Sequence, residues 1–411
     1  MTANSSDYGR LFFQAEVFRA GRLGERRARP AGAIIEPARR VPLFRDCDVL
    51  VAGGGPAGTA AYWKERTAAF HGIVTWSPTI DPEHLKLLSQ EIVLGAGVHL
   101  VFHAWAAAPI VEEGRVTGAV FESKEGRLAI RAGVMIDCTG DGDLFHRAGA
   151  GSESDIDERD IHHCTNTAWL FGGVDMPRWI AFKSGDPEGF KAFMERGRRA
   201  CGGLLERPFV SWRDDVALFL GPRLAGYSAV DVEDQTEVEI RSHRLMAQHL
   251  TVYREYAPGF ANAYLLLSAP QLGVRHSRRL VGIGRVTRED WSNATPRPDE
   301  IGISPSLSPK FPLLSVPYGC LVPRDIDGLL VAGRHISCVP SSHSFLREIP
   351  QYWLTGQAAG VAAALTVAER CAPRAVPIAE LQAALRRQQV LLRGQVEPAL
   401  APAGETAEPK S

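Results

Sequence analysis

The sequence predicts an α/β protein with a parallel sheet assembled from two distant parts of the chain and an α+β domain inserted between them. Three apolar segments lead to this prediction. Asp48 to Gly55 runs into a glycine-rich turn, Val134 to Cys138 into a Thr-Gly-Asp-Gly-Asp loop, and Gly328 to Gly333 into a loop and helix. Short apolar runs bounded by turn residues are typical of buried parallel strands. Ligands bind at the carboxyl ends of such strands, so a site is expected there.

Length and composition set the broad class. A chain of 411 residues exceeds the usual size of one hydrophobic core, so two domains are expected. A formal net charge of -1 gives no general attraction for nucleic acid or for an anionic membrane. The sequence has neither an apolar stretch of about 18 residues nor an apolar signal core, so we expect a cytoplasmic protein.

The cysteines argue against several kinds of site. All seven are scattered, and no pair has the C-x-x-C spacing. This pattern disfavours a zinc site, a disulfide framework and a locally ligated 4Fe-4S cluster, and we expect no metal site.

Changes in composition along the chain suggest five ranges. The two halves of a nucleotide-binding domain are separated by a middle segment that contains Trp and Phe and is often interrupted by Pro and Gly. An Arg-rich, partly extended leader precedes them, and a small polar tail follows. The ranges are 1–45 for the leader, 46–150 for the first half, 151–317 for the substrate domain, 318–395 for the second half and 396–411 for a disordered tail.

Further elements follow from periodicity. A helix is expected over Ala57 to Phe70, and another where Leu85, Leu88 and Ile92 recur at helical spacing. The segment "VHLVFHAW" is expected to be a strand, and a hairpin is expected to turn at Lys124 to Gly126. A long helix is predicted from Glu233 to Tyr256, and a small-residue helix from Pro350 to Arg370.

The glycine-rich turn is the first candidate binding element. Gly53 permits a tight bend, Gly55 lets the backbone approach a pyrophosphate, and Gly58 allows close packing of helix on strand, with Ala57 beside it. Phosphate would then lie at the helix N-terminus. A tight turn without a ligand is the alternative interpretation.

The loop in "MIDCTGDGDL" is the second candidate. It places the hydroxyl of Thr139, the backbone of Gly140 and the carboxylates of Asp141 and Asp143 at the end of a strand. A calcium-like or solvated turn is the alternative. The later ligating positions of a calcium loop are missing, which favours a cofactor.

The third candidate is the strand end at Gly333 and Arg334 with the following helix. Gly356, Ala358, Ala359 and Gly360 would let backbone lie close to a flat ligand. A tightly packed buried helix explains the same residues equally well.

Taken together, these segments resemble FAD-dependent oxidoreductases of the glutathione-reductase structural superfamily, in particular the bacterial family that includes relatives of the heterodisulfide reductase flavoproteins. The resembling stretches are "IIEPARRVPLFRDCDVLVAGGGPAG", "GRVTGAVFESKEGRLAIRAGVMIDCTGDGDL", "YAPGFANAYLLLSAPQLGVRHSRRLVG", "VPYGCLVPRDIDGLLVAGRHIS" and "GQAAGVAAAL". The resemblance implies a Rossmann-like FAD-binding domain, a parallel sheet plus a β-meander, with an inserted substrate domain.

The resemblance also implies which residues contact FAD. The pyrophosphate would lie at the glycine turn, the adenine beside the segment around Leu100, and the isoalloxazine at the C-terminal strand and helix. The implied cofactor-binding residues are Gly53, Gly55, Ala57, Gly58, Leu100, Thr139, Gly140, Asp141, Gly333, Arg334, Gly356 and Gln357. Arg275, Arg278 and Arg279 match family arginines that we interpret as ion-pair partners, with binding of an anionic substrate as the alternative.

The chain departs from the family pattern after the glycine turn. The family continues with a second strand that ends in an acidic residue for the adenosine ribose, and several tens of residues are missing between Ala61 and Trp63. Asp81 lies at nearly the expected distance for the ribose acid, but it follows Pro78 and precedes a helix. There are three explanations: a natural variant with weak or no flavin binding, a deletion from the gene, or compensation by the first 45 residues.

The expected function is oxidation or reduction of a small organic molecule by hydride transfer to or from FAD, with NAD(P) as a candidate co-substrate. His343 and Arg347 are the candidate catalytic residues, chosen over His162, His163 and His335. Trp169, Trp179, Phe182, Phe209 and Trp212 would suit an apolar or aromatic substrate, or else form a core. The rival functions are a degenerate, non-catalytic binding protein and an electron-transfer flavoprotein with a 4Fe-4S cluster.

Overall fold

The computed structural model describes residues 40–53, 69–70, 78–79, 81–154, 165–293, 295–308 and 311–393. These residues form two compact units. The sheet unit comprises the described residues of 33–62, 92–155 and 278–411, and the aromatic unit comprises those of 63–91 and 156–277. The predicted leader up to residue 39, the turn residues Gly55, Ala57 and Gly58, the histidines at 162 and 163, and the tail from residue 394 lie outside the described residues.

The sheet unit is built on one mixed five-stranded sheet. Its strands are β1 (Leu43–Ala52), β4 (Trp105–Glu112), β5 (Arg115–Ser123), β6 (Gly126–Asp137) and β17 (Leu329–Val331). The order is β1-β6-β5-β4, and β17 also pairs with β6. β1 and β17 run parallel to β6, whereas β4 and β5 form the antiparallel meander. The predicted parallel sheet with a meander, including the hairpin turn between β5 and β6, is therefore confirmed.

The rest of the sheet unit covers and extends this sheet. Its remaining elements are α2 (Asp143–Arg147), β7 (Ser152–Glu153), β14 (Arg279–Leu280), α6 (Arg288–Ser292), β15 (Glu300–Ser308), β16 (Phe311–Pro317), a 3-10 turn (Tyr318–Leu321), α7 (Pro340–Leu346), α8 (Ile349–Ala368), a second 3-10 turn (Pro373–Ala375) and α9 (Ile378–Arg387). The predicted small-residue helix is α8. Its alanines at 358, 359, 362 and 363 are fully buried in the core of the unit, as expected for a tightly packed helix.

The aromatic unit does not end where the sequence places the end of the substrate domain. The sequence places that limit at Pro317, whereas the aromatic unit ends at Ser277. Residues 278–317 belong to the sheet unit because β14 pairs with β7 and because Ile303 donates its N–H to Leu391 O at 2.8 Å.

Two strand predictions need correction. Residues 98–104, in the predicted strand "VHLVFHAW", form no strand, and β4 begins only at Trp105. β1 is parallel as predicted but is not fully buried, since only Leu50 and Ala52 are buried and Val51 is 45% exposed. Among the described residues, β1 pairs only with β6, and residues 98–104 pair with no strand.

Two more elements precede the meander. β2 (Ala69–Phe70) pairs with β3 (Pro78–Thr79), so the predicted helix over Ala57 to Phe70 does not include its last two residues, and residues 57–68 lie outside the described part of the chain. α1 (Pro82–Gly95) is the helix predicted from Leu85, Leu88 and Ile92, but it has no buried residue.

The aromatic unit combines a small sheet with long helices. Its elements are β8 (Thr165–Asn166), β9 (Trp169–Gly172), α3 (Met176–Gly185), α4 (Pro187–Ala200), β10 (Phe209–Val210), β11 (Val216–Phe219), α5 (Val232–Tyr256), β12 (Tyr264–Ser268) and β13 (Gly273–Val274). The sheet has the order β10-β11-β9-β12. α5 is the predicted long helix, and the side chain of Asp231 caps it by accepting from the N–H groups of Glu233 and Asp234.

Aromatic side chains form the core of this unit. Trp169 stacks on Phe219 with ring centroids 5.0 Å apart, and Trp179 contacts Tyr253 at 5.6 Å. Trp169 and Trp179 are 1% and 2% exposed. These two tryptophans therefore stabilise the fold and have no surface for a substrate, whereas Phe182, Phe209 and Trp212 are half-buried.

Candidate functional site

Three strand ends lie side by side in the sheet unit. In the register of the sheet, Ala52 of β1 and Val331 of β17 both pair with Asp137, the last residue of β6. The N–H of Cys138 donates to Ala52 O at 2.8 Å, and that of Ala332 donates to Asp137 O at 3.0 Å. The three motifs found in the sequence therefore meet at the carboxyl edge of one parallel sheet, where ligands bind in folds of this class.

Gly53 continues directly from β1 and packs against the neighbouring strand end. Its φ is +115°, and a Cβ at this position would lie 2.2 Å from Cys138 O. No side chain fits there without movement of the backbone. The sequence assigned this glycine to a tight bend, and the structure places the bend against the β6 loop.

A buried carboxylate organises the loop after β6. Asp137 is fully buried, and its Oδ1 accepts from Thr139 N at 3.0 Å and from Thr139 Oγ1 at 2.6 Å. Its Oδ2 accepts from Leu144 N at 3.2 Å and Phe145 N at 2.9 Å, the amides of the first turn of α2. These N–H groups have no acceptor within a helix, so Asp137 caps α2 from the end of a strand.

The loop itself exposes backbone to the strand-end edge. Gly140 and Gly142 have φ values of +85° and +69°. Glycines in left-handed conformation turn successive backbone N–H groups toward one side, which is the arrangement found in anion-binding loops. Asp141 lies between these two glycines, and Asp143 follows Gly142. Burial is the main cause that raises the pKa of Asp143, and the negative charge of Asp141 adds to it.

Two arginines from the C-terminal part of the chain clamp this loop. Arg334 Nη2 donates to Asp141 Oδ1 at 2.8 Å, and its guanidinium lies against Gly140, where a Cβ would come within 2.6 Å of Nη1. Arg278 Nη1 donates to Asp141 O at 3.0 Å and lies 3.4 Å from Asp143 Oδ1. Two guanidinium groups and the glycines of the loop therefore lie together at this edge, with the carboxylates of Asp141 and Asp143 as the partners of the guanidinium groups.

The third strand end is tied to α8. Gly333 has a φ of +113°, and its N–H donates at 3.2 Å to Oγ1 of Thr355, the residue before Gly356. Gln357, the next residue, donates instead to Gln388 Oε1 at 2.9 Å. Its side chain is thus engaged by the segment after α9 rather than by the strand ends.

Other residues singled out in the sequence lie elsewhere or serve the fold. Leu100 is half-buried in the segment without secondary structure before β4. Asp81 caps α1, since its Oδ1 accepts from Glu83 N at 2.9 Å and His84 N at 3.3 Å. His343 is buried in α7, and Arg347 follows that helix with its Nη1 3.4 Å from Glu348 Oε1.

Two of the family arginines have ion-pair partners in the sheet unit, in line with their interpretation from the sequence. Besides Arg278, which lies beside Asp143, Arg279 is fully buried, and its Nη2 lies 3.1 Å from Glu153 Oε2. The same carboxylate oxygen also pairs with Arg285 at 2.6 Å.

Asp137, at the centre of the site, is not among the residues that the sequence singles out. In the sequence it belongs to an apolar strand, and His335 is one of several candidate histidines. The available signal was an aspartate at a strand position whose neighbours are all apolar, because a buried carboxylate must have hydrogen-bond partners.

The described residues show neither a metal-binding cluster nor a membrane span. They hold no group of three or more His, Cys, Asp or Glu side chains that could bind a metal ion. Six described cysteines are free thiols, four of them buried. Among the helices in the described ranges, none has the length and apolar character required to cross a bilayer.

Comparison with known proteins identifies relatives at the level of the family. A family model described as "FAD dependent oxidoreductase" matches residues 62–306 and 307–385, so the match begins just after the glycine-rich turn. A comparison with curated proteins gave no match.

Solved structures give weaker similarities. A geranylgeranyl bacteriochlorophyll reductase-like protein from Thermoplasma acidophilum is 12% identical, with a TM-score of 0.43, and 84% of each chain is covered. The myxobacterial FAD-dependent chondrochloren halogenase CndH is 11% identical, with a TM-score of 0.44 over 84% of this chain and 80% of that one. The flavin-dependent brominase Bmp2 is 12% identical, with a TM-score of 0.43 over 83% of both chains.

Proposed function

Because this chain belongs to the family of FAD dependent oxidoreductases, we propose that it oxidises or reduces a small organic molecule by hydride transfer to or from bound FAD. The observation that carries the proposal is the meeting of Gly53, the Thr139–Asp141 loop and Gly333 at one sheet edge. Three glycine-containing turns from distant parts of the chain meet there, at the carboxyl ends of parallel strands where folds of this class bind dinucleotides.

The residues of this edge fit the cofactor. A dinucleotide brings a pyrophosphate that needs close backbone approach and positive charge. Gly53 and Gly140 leave no room for a Cβ, and the Nε of Arg334 is buried without a hydrogen-bond partner. Glycine-lined backbone beside an incompletely bonded guanidinium is a donor set suited to phosphate oxygens.

Each part of the edge then has a role. Gly53 and Gly140 bring backbone close to the cofactor, while Arg334 and Arg278 hold the β6 loop and supply positive charge. Gly333 and Gly356 would border the flavin from the other side. FAD, when bound, supplies the isoalloxazine that accepts or releases the hydride, and the protein orients the substrate beside it.

The finer assignments are part of the same proposal. His343 and Arg347 are the proposed catalytic residues, and NAD(P) is a candidate co-substrate. An apolar or aromatic substrate is proposed as well. Phe182, Phe209 and Trp212 support it, because these half-buried side chains keep part of their apolar surface accessible.

An absorption titration of the purified full chain with FAD tests the proposal. We expect flavin bands that saturate near one FAD per chain and are bleached by a reductant. An Arg334→Gln variant should bind FAD more weakly, whereas Arg178→Gln, an exposed change in the aromatic unit, should bind as the wild type does. No uptake at saturating FAD would contradict the proposal.

One observation favours a non-catalytic alternative. β1 pairs on one edge only among the described residues, and Val98, Val101 and Phe102 are 50%, 39% and 64% exposed. A chain lacking the ribose-binding strand could keep the scaffold as a binding protein. The same titration separates the two functions, and iron content with brown colour would indicate a 4Fe-4S electron-transfer protein instead.

A further inference from the structure

His335 is a buried histidine that the proposed chemistry does not use. It lies in the loop after β17 and is fully buried, and its carbonyl oxygen accepts from Leu280 N at 2.8 Å. Its Nε2 lies 3.2 Å from Asp137 O and 3.5 Å from Asp137 Oδ1. The ring stacks on Phe145 with centroids 5.8 Å apart and planes inclined by 10°.

These contacts determine which ring nitrogen carries the proton. Nε2 faces two acceptor oxygens, while Nδ1 is buried and has no hydrogen-bond partner. A proton on Nδ1 alone would leave a buried N–H without an acceptor and would turn the lone pair of Nε2 toward two oxygen atoms, and both are costly. His335 therefore donates from Nε2 toward Asp137.

The donor from His335 favours the ionised form of Asp137 at this buried position. Burial by itself would raise the pKa of Asp137, but the hydrogen bonds from His335 and Thr139 lower it overall. As a carboxylate, Asp137 can accept all four bonds from Thr139, Leu144 and Phe145. A protonated acid would have to give up an acceptor position.

We propose that His335 is a positioning residue that holds Asp137 in the orientation at which its carboxylate shapes the Thr139–Asp143 loop for cofactor binding. The inference rests on the proposed function, since the loop is taken to contact FAD. The link runs from His335 to Asp137, from Asp137 to the amides of Leu144 and Phe145, and through them to the Gly140–Gly142 backbone. Phe145 also contacts His335 directly, because the two rings stack.

A matched pair of variants tests this link. In His335→Gln the amide nitrogen can reach the place of Nε2, whereas in His335→Asn it reaches only that of Nδ1, where there is no partner. Both variants are polar and similar in size, so a difference between them reports on the bond to Asp137. We expect FAD to dissociate about tenfold more readily from His335→Asn than from the wild type, as loss of one buried hydrogen bond implies. His335→Gln should stay within about threefold of the wild type.

Amide hydrogen exchange gives a second readout that needs no cofactor. At Leu144 and Phe145, exchange in the FAD-free protein should be about tenfold faster in His335→Asn than in His335→Gln, while amides of α5 in the aromatic unit should be unchanged. If His335→Asn fails to fold, Asp137→Asn, which keeps the size of the side chain, should show the same faster exchange.

The outcomes separate this inference from the proposed function. Equal exchange and equal FAD affinity in the two variants would overturn the inference and leave the function intact. A wild type that takes up no FAD would overturn the function, and the exchange rates would still decide whether His335 orders the loop. Lower thermal stability in both variants, with unchanged loop exchange, would mean that His335 only fills space.

Discussion

At the strand ends, the structure requires glycine at particular positions. Gly53 and Gly140 both have positive φ, and both would carry a Cβ into occupied space. Glycine is therefore required twice over at these positions, for its backbone conformation and for its missing side chain. The glycine motif had indicated a tight bend, but only the structure identifies Cys138 O as the atom that enforces it.

Gly53→Ala tests the steric part of this requirement. Gly126 is a matched control, because its φ of +110° is close to the +115° of Gly53 but nothing lies within 4 Å of its Cβ position. Each substitution should cost roughly 1 kcal/mol for the backbone conformation, and Gly53→Ala should cost more because the contact with Cys138 O forces the strand ends apart. Urea unfolding measures the difference. Equal losses of unfolding free energy in the two variants would mean that the close approach to Cys138 O does not affect stability.

In the aromatic unit, one buried histidine connects a helix to a neighbouring segment through hydrogen bonds. His249 of α5 is fully buried, its Nε2 accepts from Glu206 N at 2.8 Å, and its Nδ1 lies 2.6 Å from Leu245 O. Burial lowers the pKa of His249 to about 4. The helix and the segment before β10 are thus joined through a neutral imidazole.

The stability of this unit should therefore fall in mild acid. An unfolded histidine has a pKa of about 6.5, so between pH 6.5 and pH 4 the unfolded chain takes up a proton that the folded one does not. The contribution of His249 is fully present above pH 6.5 and is lost by about 1.4 kcal/mol per pH unit below it.

Urea unfolding followed by tryptophan fluorescence at pH 7 and pH 5 measures this loss. In His249→Gln, whose amide oxygen can still accept from Glu206 N, the dependence on pH should be smaller. His243→Gln is the control, since His243 lies on the same helix with its side chain 50% exposed. An unchanged dependence in His249→Gln would refute the assignment.

At the scale of the whole molecule, the sheet unit is held together by contacts between residues far apart in sequence. Arg279 is fully buried and pairs with Glu153, and Arg279 Nε also donates to Cys338 O at 3.2 Å. This single guanidinium joins three segments of the chain.

Removing the charge of Glu153 should destabilise the sheet unit. Glu153→Gln leaves a buried guanidinium without its counter-ion, which costs about 3 to 5 kcal/mol in a fully buried pair. We expect on the order of 2 kcal/mol here, because Glu153 is 32% exposed and Cys338 O remains as an acceptor. Asp215→Asn, at a fully exposed pair with Arg213, should leave the unfolding midpoint unchanged. A Glu153→Gln protein as stable as the wild type would show that the pair does not support the fold.

Much of the architecture could be predicted from local sequence patterns. The strand ending at Ala52, the β5–β6 hairpin, the strand at Leu329–Val331 and the helices α5 and α8 were all predicted, because each depends on periodicity and turn residues within its own segment. The segment before Trp105 was predicted wrongly for the opposite reason. Its apolar residues match a strand, but a strand forms only by pairing, and residues 98–104 pair with none of the described strands.

The sequence by itself determined the family and the three segments that meet at the sheet edge, because close backbone approach demands glycine at fixed places along the chain. Only the tertiary structure decided that Asp137 and His335 form the centre of that edge. Their roles depend on which groups surround a buried carboxylate, and those groups come from residues as far apart in sequence as Thr139 and His335. Hydrogen-bond partners of this kind are set by packing, which no local pattern encodes.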